Sequence, residues 1–382
     1  MTDSSLPRRA AQVLRGAAER LNNTPALLGF DGFIDTILHV VDQRISAAEY
    51  TRVPTLGEYG RRISAAAGQS TNVEVVVQNV KLGGNGPIMA NALAALGLPV
   101  TYCGMTGFPH THPVFEDFSK IAHLLPLSEP ALTDAYEFDD GKLIVGKHAT
   151  VAEVSYDTLV ARVGEDTWRA AWNSARFVGM VNWTMLPHLT ALWKTLQKHE
   201  LNPGASTSAS TAAASGGRKM LFFDLADPEK RTTEDLLDGL ATLAAFAGHS
   251  DVVLGLNEKE GQQVALALGL SRIVGDSAHQ KIASTARAIR DKLGIRACVI
   301  HPTAFAAAAD GQSSVAVDGP YTPKPLISTG AGDHFNAGFC LGLLAGGSLD
   351  EALQIGVGTS GFYVRHALSP SRLQLADFLD EL

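Results

Sequence analysis

From residue 176 to residue 317 short apolar runs alternate with amphipathic stretches, and few folds tolerate that rhythm. The runs at 176–181, 219–224, 251–256, 297–300 and 314–317 read as strands, and helical periodicity fills 187–199, 233–246, 258–268 and 278–293 between them. Strand-then-helix repetition predicts a mostly parallel sheet covered by helices on both faces. The first half obeys the rhythm less well. Residues 26–30 read as a buried strand running into Asp31-Gly32-Phe33-Ile34-Asp35, with apolar residues continuing to Val41. The segment 48–69 is polar and mixed, with a short helical stretch around 59–67. A valine-rich strand at 72–82 ends in Gly83-Gly84-Asn85-Gly86, helical periodicity runs from Pro87 to Leu96, and 100–103 is another strand. The runs 72–82 and 142–149 fit a small accessory sheet better than the main one.

Composition narrows the function classes. A length of 382 residues, at roughly 150 residues per domain, gives a prior of two to three domains. No repeat or shift in composition marks a boundary, so one large domain is the expectation. Hydrophobic residues make up 46% and charged residues 18%, which supports a sizeable core and excludes global disorder. The net charge of −8 runs against a protein that holds nucleic acid by neutralising phosphates. No stretch reaches the roughly 20 apolar residues of a membrane span. Ala10, Val13, Leu14, Ala17, Ala18 and Leu21 recur at helical spacing near the N-terminus, which suits a docked helix rather than a secretory signal. Cys103, Cys298 and Cys340 share no metal-ligand spacing and read as buried thiols of a cytoplasmic protein. Residues 203–217 are nearly all Ala, Ser, Thr and Gly, the composition of a flexible surface insertion.

The sharpest local feature is Ser328-Thr329-Gly330-Ala331-Gly332-Asp333-His334-Phe335, where a turn of small residues opens into an apolar helix. Free N–H groups at such a helix start, with its dipole, make an anion site. Asp333 has two readings at that mouth. It is an acid placed there by the dipole, or a base that takes a proton from an attacking hydroxyl beside a bound phosphoryl group.

Thr329-Gly330-Ala331-Gly332-Asp333 followed by Phe335-Asn336-Ala337-Gly338-Phe339 resembles the C-terminal signature of the ribokinase/PfkB carbohydrate kinase family. Gly83-Gly84-Asn85-Gly86 with Ala90-Asn91-Ala92 resembles the glycine-pair motif of that family. Asn257-Glu258-Lys259-Glu260 resembles its Asn-x-x-Glu element. The three occur in the family's order over nearly the whole chain.

The resemblance implies a ribokinase-like three-layer α/β/α fold spanning 1–382, with a small β-rich lid from parts of 36–82 and 137–149. It implies transfer of the γ-phosphoryl group of ATP–Mg²⁺ to a hydroxyl of a sugar-like substrate. Carried onto this chain, Asp333 is the general base, and the N–H groups of Gly330, Ala331 and Gly332 form the anion hole. Asn257 and Glu260 hold Mg²⁺ through water near the nucleotide. Asp35, with Asp31 as second choice, binds substrate hydroxyls, and Gly83, Gly84 and Asn85 contact the same ligand. Pairing of lids into a homodimer follows by analogy.

The chain also departs from the family pattern. Ile327-Ser328 stands where many members carry Asp-Thr, so the resemblance does not extend to potassium activation. His301-Pro302-Thr303-Ala304-Phe305-Ala306 replaces a glycine-containing phosphate-side turn, Gly104–Pro109 lacks an Asp, and Ile88 occupies a position where several sugar kinases have Asn. Two other readings stay open. One is a nucleoside kinase of the same family, with Phe33, Tyr136, Phe138 and Trp183 lining a base slot. The other is a non-catalytic ligand-binding member. A dinucleotide turn at Gly84-x-Gly86 fails because Met89 replaces the third glycine. His110 and His112 lack a third metal ligand, and Asp224 and Asp227 read as shaping the cleft.

Overall fold

The computed structural model describes residues 5–201, 218–270 and 275–382; the insertion expected at 203–217 lies outside them. Its strands are β1 (Ala26–Gly29), β2 (Phe33–Arg44), β3 (Tyr50–Arg52), β4 (Val75–Gly83), β5 (Val100–Gly104), β6 (His123–Pro126) and β7 (Ala131–Phe138) in the first part. The rest are β8 (Gly141–Lys147), β9 (Phe177–Met180), β10 (Met220–Asp224), β11 (Asp251–Asn257), β12 (Ala297–His301), β13 (Phe305–Asp310) and β14 (Ser314–Asp318).

A nine-stranded sheet runs β14-β13-β12-β11-β10-β9-β1-β5-β6. From β12 to β6 every pairing is parallel; β13 and β14 close one edge as an antiparallel hairpin. Its central strands are buried on both faces, so alternate residues enter two cores. Leu221 and Phe223 of β10 join one, Met220 and Phe222 the other. The free cysteines Cys103, Cys298 and Cys340 are buried there.

β2 leaves the end of β1 through Asp31-Gly32 and enters a smaller sheet ordered β3-β2-β7-β8, in which β4 also pairs with β2. The accessory runs near 72–82 and 142–149 lie in this sheet. The helix read at 59–67 spans Leu56–Ala65, where Thr55 accepts the Glu58 N–H as its cap.

Three differences from the sequence reading have physical causes. Phe305 and Ala306, read there as the end of a turn, open the strand β13, whose Ala306–Ala309 are fully buried. An alanine run carries weak strand propensity and is chosen here by burial. The helix expected from Pro87 begins at Asn85, which puts the Asn85 side chain in its first turn. The N-terminal helix breaks at Ala17 into Leu6–Gly16 and Ala18–Asn22. No described helix is long and apolar enough to cross a membrane.

Candidate active site

Asp333 lies in the first turn of the helix Ala331–Ala345, at the ends of the parallel strands, and is 8% exposed. Its Oδ1 accepts the side-chain amide of Asn85 at 3.0 Å. The glycine-pair motif and the Gly-Ala-Gly turn therefore meet in space. Burial, with the charges of Asp31 and Glu260, pushes the Asp333 pKa up to about 8, against the lowering effect of the Asn85 bond.

The turn before this helix depends on Gly330, whose φ of 89° suits a residue without Cβ. Added there, a Cβ would also sit 3.1 Å from Ile88. The N–H groups of Gly330 and Gly332 have no protein acceptor among the described residues. The Ala331 N–H differs, because it donates to Ser328 O at 3.2 Å. Two glycine amides are thus the open donors, rather than three.

Asp35, on β2, faces Lys81 of β4 and Thr133 of β7 in register. Burial raises its pKa, with Lys81 and a Thr133 hydrogen bond pulling the other way. A Cβ on Gly83 would lie 2.4 Å from the Asp35 carboxylate, so that glycine is what lets the acid approach the motif. Asp31 is different. It is fully buried, its Oδ1 accepts the Gly86 N–H at 2.9 Å, and its Oδ2 accepts the Asn182 amide at 2.6 Å. Tyr102 donates to the Asp31 carbonyl at 2.5 Å. Asp31 anchors the start of the helix Asn85–Ala95, with both carboxylate oxygens engaged by protein donors.

Asn257 and Glu260 cap the helix Glu258–Ala267 reciprocally: Asn257 Oδ1 accepts the Glu260 N–H and Glu260 accepts the Asn257 N–H, both at 2.9 Å. The other Glu260 oxygen accepts the Asp227 N–H at 2.9 Å. Beside them Asp224, 6% exposed, accepts Asn336 Nδ2 at 2.9 Å, while Asn336 Oδ1 is buried with no partner among the described residues. Burial, then the charges of Glu260 and Asp333, push the Asp224 pKa well up. This collection of acids fits a cation nearby. Among the described residues no group of His, Cys, Asp or Glu forms a ready metal cage. The donor set suits a Mg²⁺ that keeps its waters and arrives with phosphates.

A cavity of about 370 Å³ adjoins the turn. Asn257, Ser328, Ala331 and Gly332 border its polar end, and Phe305, Pro320, Tyr321 and Val357 line its apolar walls. His301 also lines it, tilted on Phe335 with ring centroids 4.7 Å apart. Burial pushes His301 down to about 4, so the ring is neutral.

A family model described as prokaryotic ketohexokinase matches residues 2–382. The chain belongs to that family. It is accordingly a carbohydrate kinase of the ribokinase/PfkB type, a phosphotransferase with an alcohol acceptor. A ketohexokinase of Haloferax volcanii is 29% identical over 98% of this chain and 96% of its own length. Among solved structures, a ribokinase of Arabidopsis thaliana complexed with ribose and ATP superposes with a TM-score of 0.61 at 15% identity, covering 94% of this chain and 98% of that one. The phosphofructokinase-2 of Escherichia coli gives 0.58 at 14%, covering 94% and 99%.

Within this ketohexokinase-family fold the four aromatics weighed for a base slot do not gather. Phe33 and Trp183 sit in the main core, whereas Phe138 belongs to a separate cluster with Tyr136 against it. His112 Nδ1 accepts the Val114 N–H and serves as a cap. The sequence reading gave no role to Asn182, His334, Asn336 or Tyr363, all of which contact site residues. Of these, His334 and Asn336 stand inside the quoted signature; Asn182 and Tyr363 carried no local signal.

Proposed function

We propose that this chain phosphorylates a hydroxyl of a ketohexose, with ATP as donor and Mg²⁺ as its companion ion, in the cytoplasm. The observation that carries the reading is the convergence of the Asp333 carboxylate, the Asn85 amide and the open Gly330 and Gly332 amides at one helix start. The family and the curated relative support the substrate class.

Asp35, Asn85 and the backbone at Gly83 and Gly84 orient the sugar. Asp333 takes the proton of the acceptor hydroxyl as its oxygen attacks phosphorus. The glycine amides donate to the phosphoryl oxygens where charge develops. ATP supplies the electrophilic γ-phosphoryl group, whose bond to the β–γ bridging oxygen breaks as the sugar oxygen bonds to phosphorus, and ADP leaves. Asn257 and Glu260, whose oxygens already accept backbone N–H groups, would hold Mg²⁺ through its waters, and the ion would supply charge neutralisation at the phosphates. The apolar cavity beside the turn takes the nucleotide. The smaller sheet acts as a lid that excludes water from the reacting groups, and a second copy of the chain covers its outer face.

The test is an ADP-release assay over ketohexoses, aldohexoses and nucleosides, with wild type beside Asp333→Asn. The expected result is turnover of a ketohexose, reduced in the variant by about 10²- to 10⁴-fold. Turnover confined to nucleosides would favour the nucleoside kinase reading. Equal rates in variant and wild type would remove Asp333 from the base role.

A further inference from the structure

His334 is built into the catalytic turn yet has no part in the proton transfer above. Its side chain is almost fully buried, with Nδ1 2.8 Å from Gly330 O and Nε2 2.8 Å from Ser369 Oγ. The ring stacks on Tyr363 with centroids 3.6 Å apart and planes 14° from parallel. A carbonyl offers no proton, so Nδ1 is the donor in the first contact. Burial pushes the His334 pKa down to about 4, which keeps the ring neutral and makes Nε2 an acceptor. Ser369 therefore donates its O–H to Nε2 and itself accepts the Asn91 amide at 3.3 Å. Every proton in this chain has one direction, from Asn91 through Ser369 and His334 to the Gly330 carbonyl.

That carbonyl also takes the backbone N–H of His334 at 3.0 Å. One residue earlier, Tyr363 donates its O–H to Thr329 O at 2.9 Å. In a trans peptide the C=O and the following N–H point to opposite sides. Holding Thr329 O thus aims the Gly330 N–H, and the Gly330–Ala331 peptide, held at its carbonyl by His334 and at its N–H by Ser328 O, fixes the link between the two open amides of Gly330 and Gly332.

We propose that His334, as the neutral Nδ1–H tautomer, is a positioning residue for phosphoryl transfer, bracing with Tyr363 the carbonyls of the turn so that its amides are aimed before the reaction begins. The inference rests on the kinase reading above. Misaiming an amide removes stabilisation that develops with the charge of the transition state, so it lowers kcat and leaves sugar binding nearly alone.

The experiment compares His334→Phe, which keeps a ring against Tyr363, with His334→Asn, which restores a donor near the Nδ1 position. For His334→Phe the expected kcat falls by about 10- to 100-fold while KM for the sugar moves by less than about threefold. Binding of ADP with aluminium fluoride, Mg²⁺ and sugar weakens by the same factor, and binding of ADP alone is unchanged. His334→Asn recovers most of both losses. A kcat within about twofold of wild type for His334→Phe, an unchanged aluminium fluoride complex, or no recovery in His334→Asn would each overturn the proposal. Should either variant fail to fold, the imidazole ¹⁵N spectrum of the wild-type enzyme decides: an Nε2–H tautomer or an imidazolium at His334 overturns it. If Asp333→Asn is inactive and His334→Phe is normal, this inference alone fails. If Asp333→Asn is fully active, the kinase chemistry beneath it fails first.

Discussion

Asn85 donates its side-chain amide to Oδ1 of Asp333 at 3.0 Å, joining two helix starts that lie 248 residues apart in the chain. The bond favours the charged carboxylate, whereas burial and the nearby acids Asp31 and Glu260 oppose it, and the balance leaves the pKa at about 8. Asp333 as the proposed base works in its charged form, so kcat/KM of the free enzyme should climb as pH rises through that value. Asn85→Ala removes a donor to the charged form and moves the climb to higher pH. The check is kcat/KM against pH for both proteins. A variant profile that coincides with the wild-type one would show that the bond does not tune the acid.

The same acid bears on stability. Its folded-state pKa of about 8 lies above the ordinary aspartate value of 3.8, so between them the folded chain keeps a proton that the unfolded chain has lost. Stability from this group is fully present below the lower value and is lost as pH rises through the upper one. Asp333→Asn carries no such dependence. Its Tm, relative to wild type, should gain progressively between about pH 4 and 8 and level off above. Thermal unfolding at several pH values tests this, and a difference that stays constant or narrows would count against a raised pKa.

Asp31 and Asp35 separate by experiment. Asp31 is the acceptor for the Gly86 N–H and the Asn182 amide, both buried. Asp31→Ala orphans them and should cost roughly 2–4 kcal/mol in folding stability. Asp35→Ala should leave Tm within a few degrees and raise KM for the sugar by about 10- to 100-fold. Denaturant unfolding and steady-state kinetics on both variants are sufficient. A stable Asp31→Ala with lost sugar affinity would exchange the two roles.

How much of this was legible in the chain follows from what each feature depends on. β10 and β11 could be read because a strand buried on both faces is a continuous apolar run. β13 could not, since Ala306–Ala309 are chosen by the depth of the site and not by strand propensity. Asp333, Asn257 and Glu260 were visible as motif residues, and the last two are also held by a local capping box within four positions. The different surroundings of Asp31 and Asp35 were hidden, because they are set by partners from other elements. Asn182 reaches Asp31 from the end of β9, and Gly83 meets Asp35 from the end of β4. Tyr363 reaches Thr329 O from 34 residues downstream, and no local pattern announces a contact of that kind.

The outer face of the smaller sheet supports a last prediction. By the pairing registers, Val77 and Val80 of β4, Leu132 of β7, and Leu143 and Val145 of β8 share one face. All five are between 37% and 55% exposed. Charge on that face is paired within the chain, since Lys147 reaches Asp134 at 2.9 Å, so it sets up no demand for an oppositely charged partner. A face on which these apolar positions surround one internally neutralised ion pair is suited to burial against its own copy about a twofold axis. The wild-type enzyme should therefore sediment as a dimer, and Val80→Asp with Val145→Asp should sediment as a monomer of unchanged fold. Because the opposite face of the sheet carries Asp35, loosening this sheet should raise KM for the sugar in the same variant. Sedimentation velocity and steady-state kinetics read both effects. A wild-type monomer at micromolar concentration would leave this face without its proposed cover.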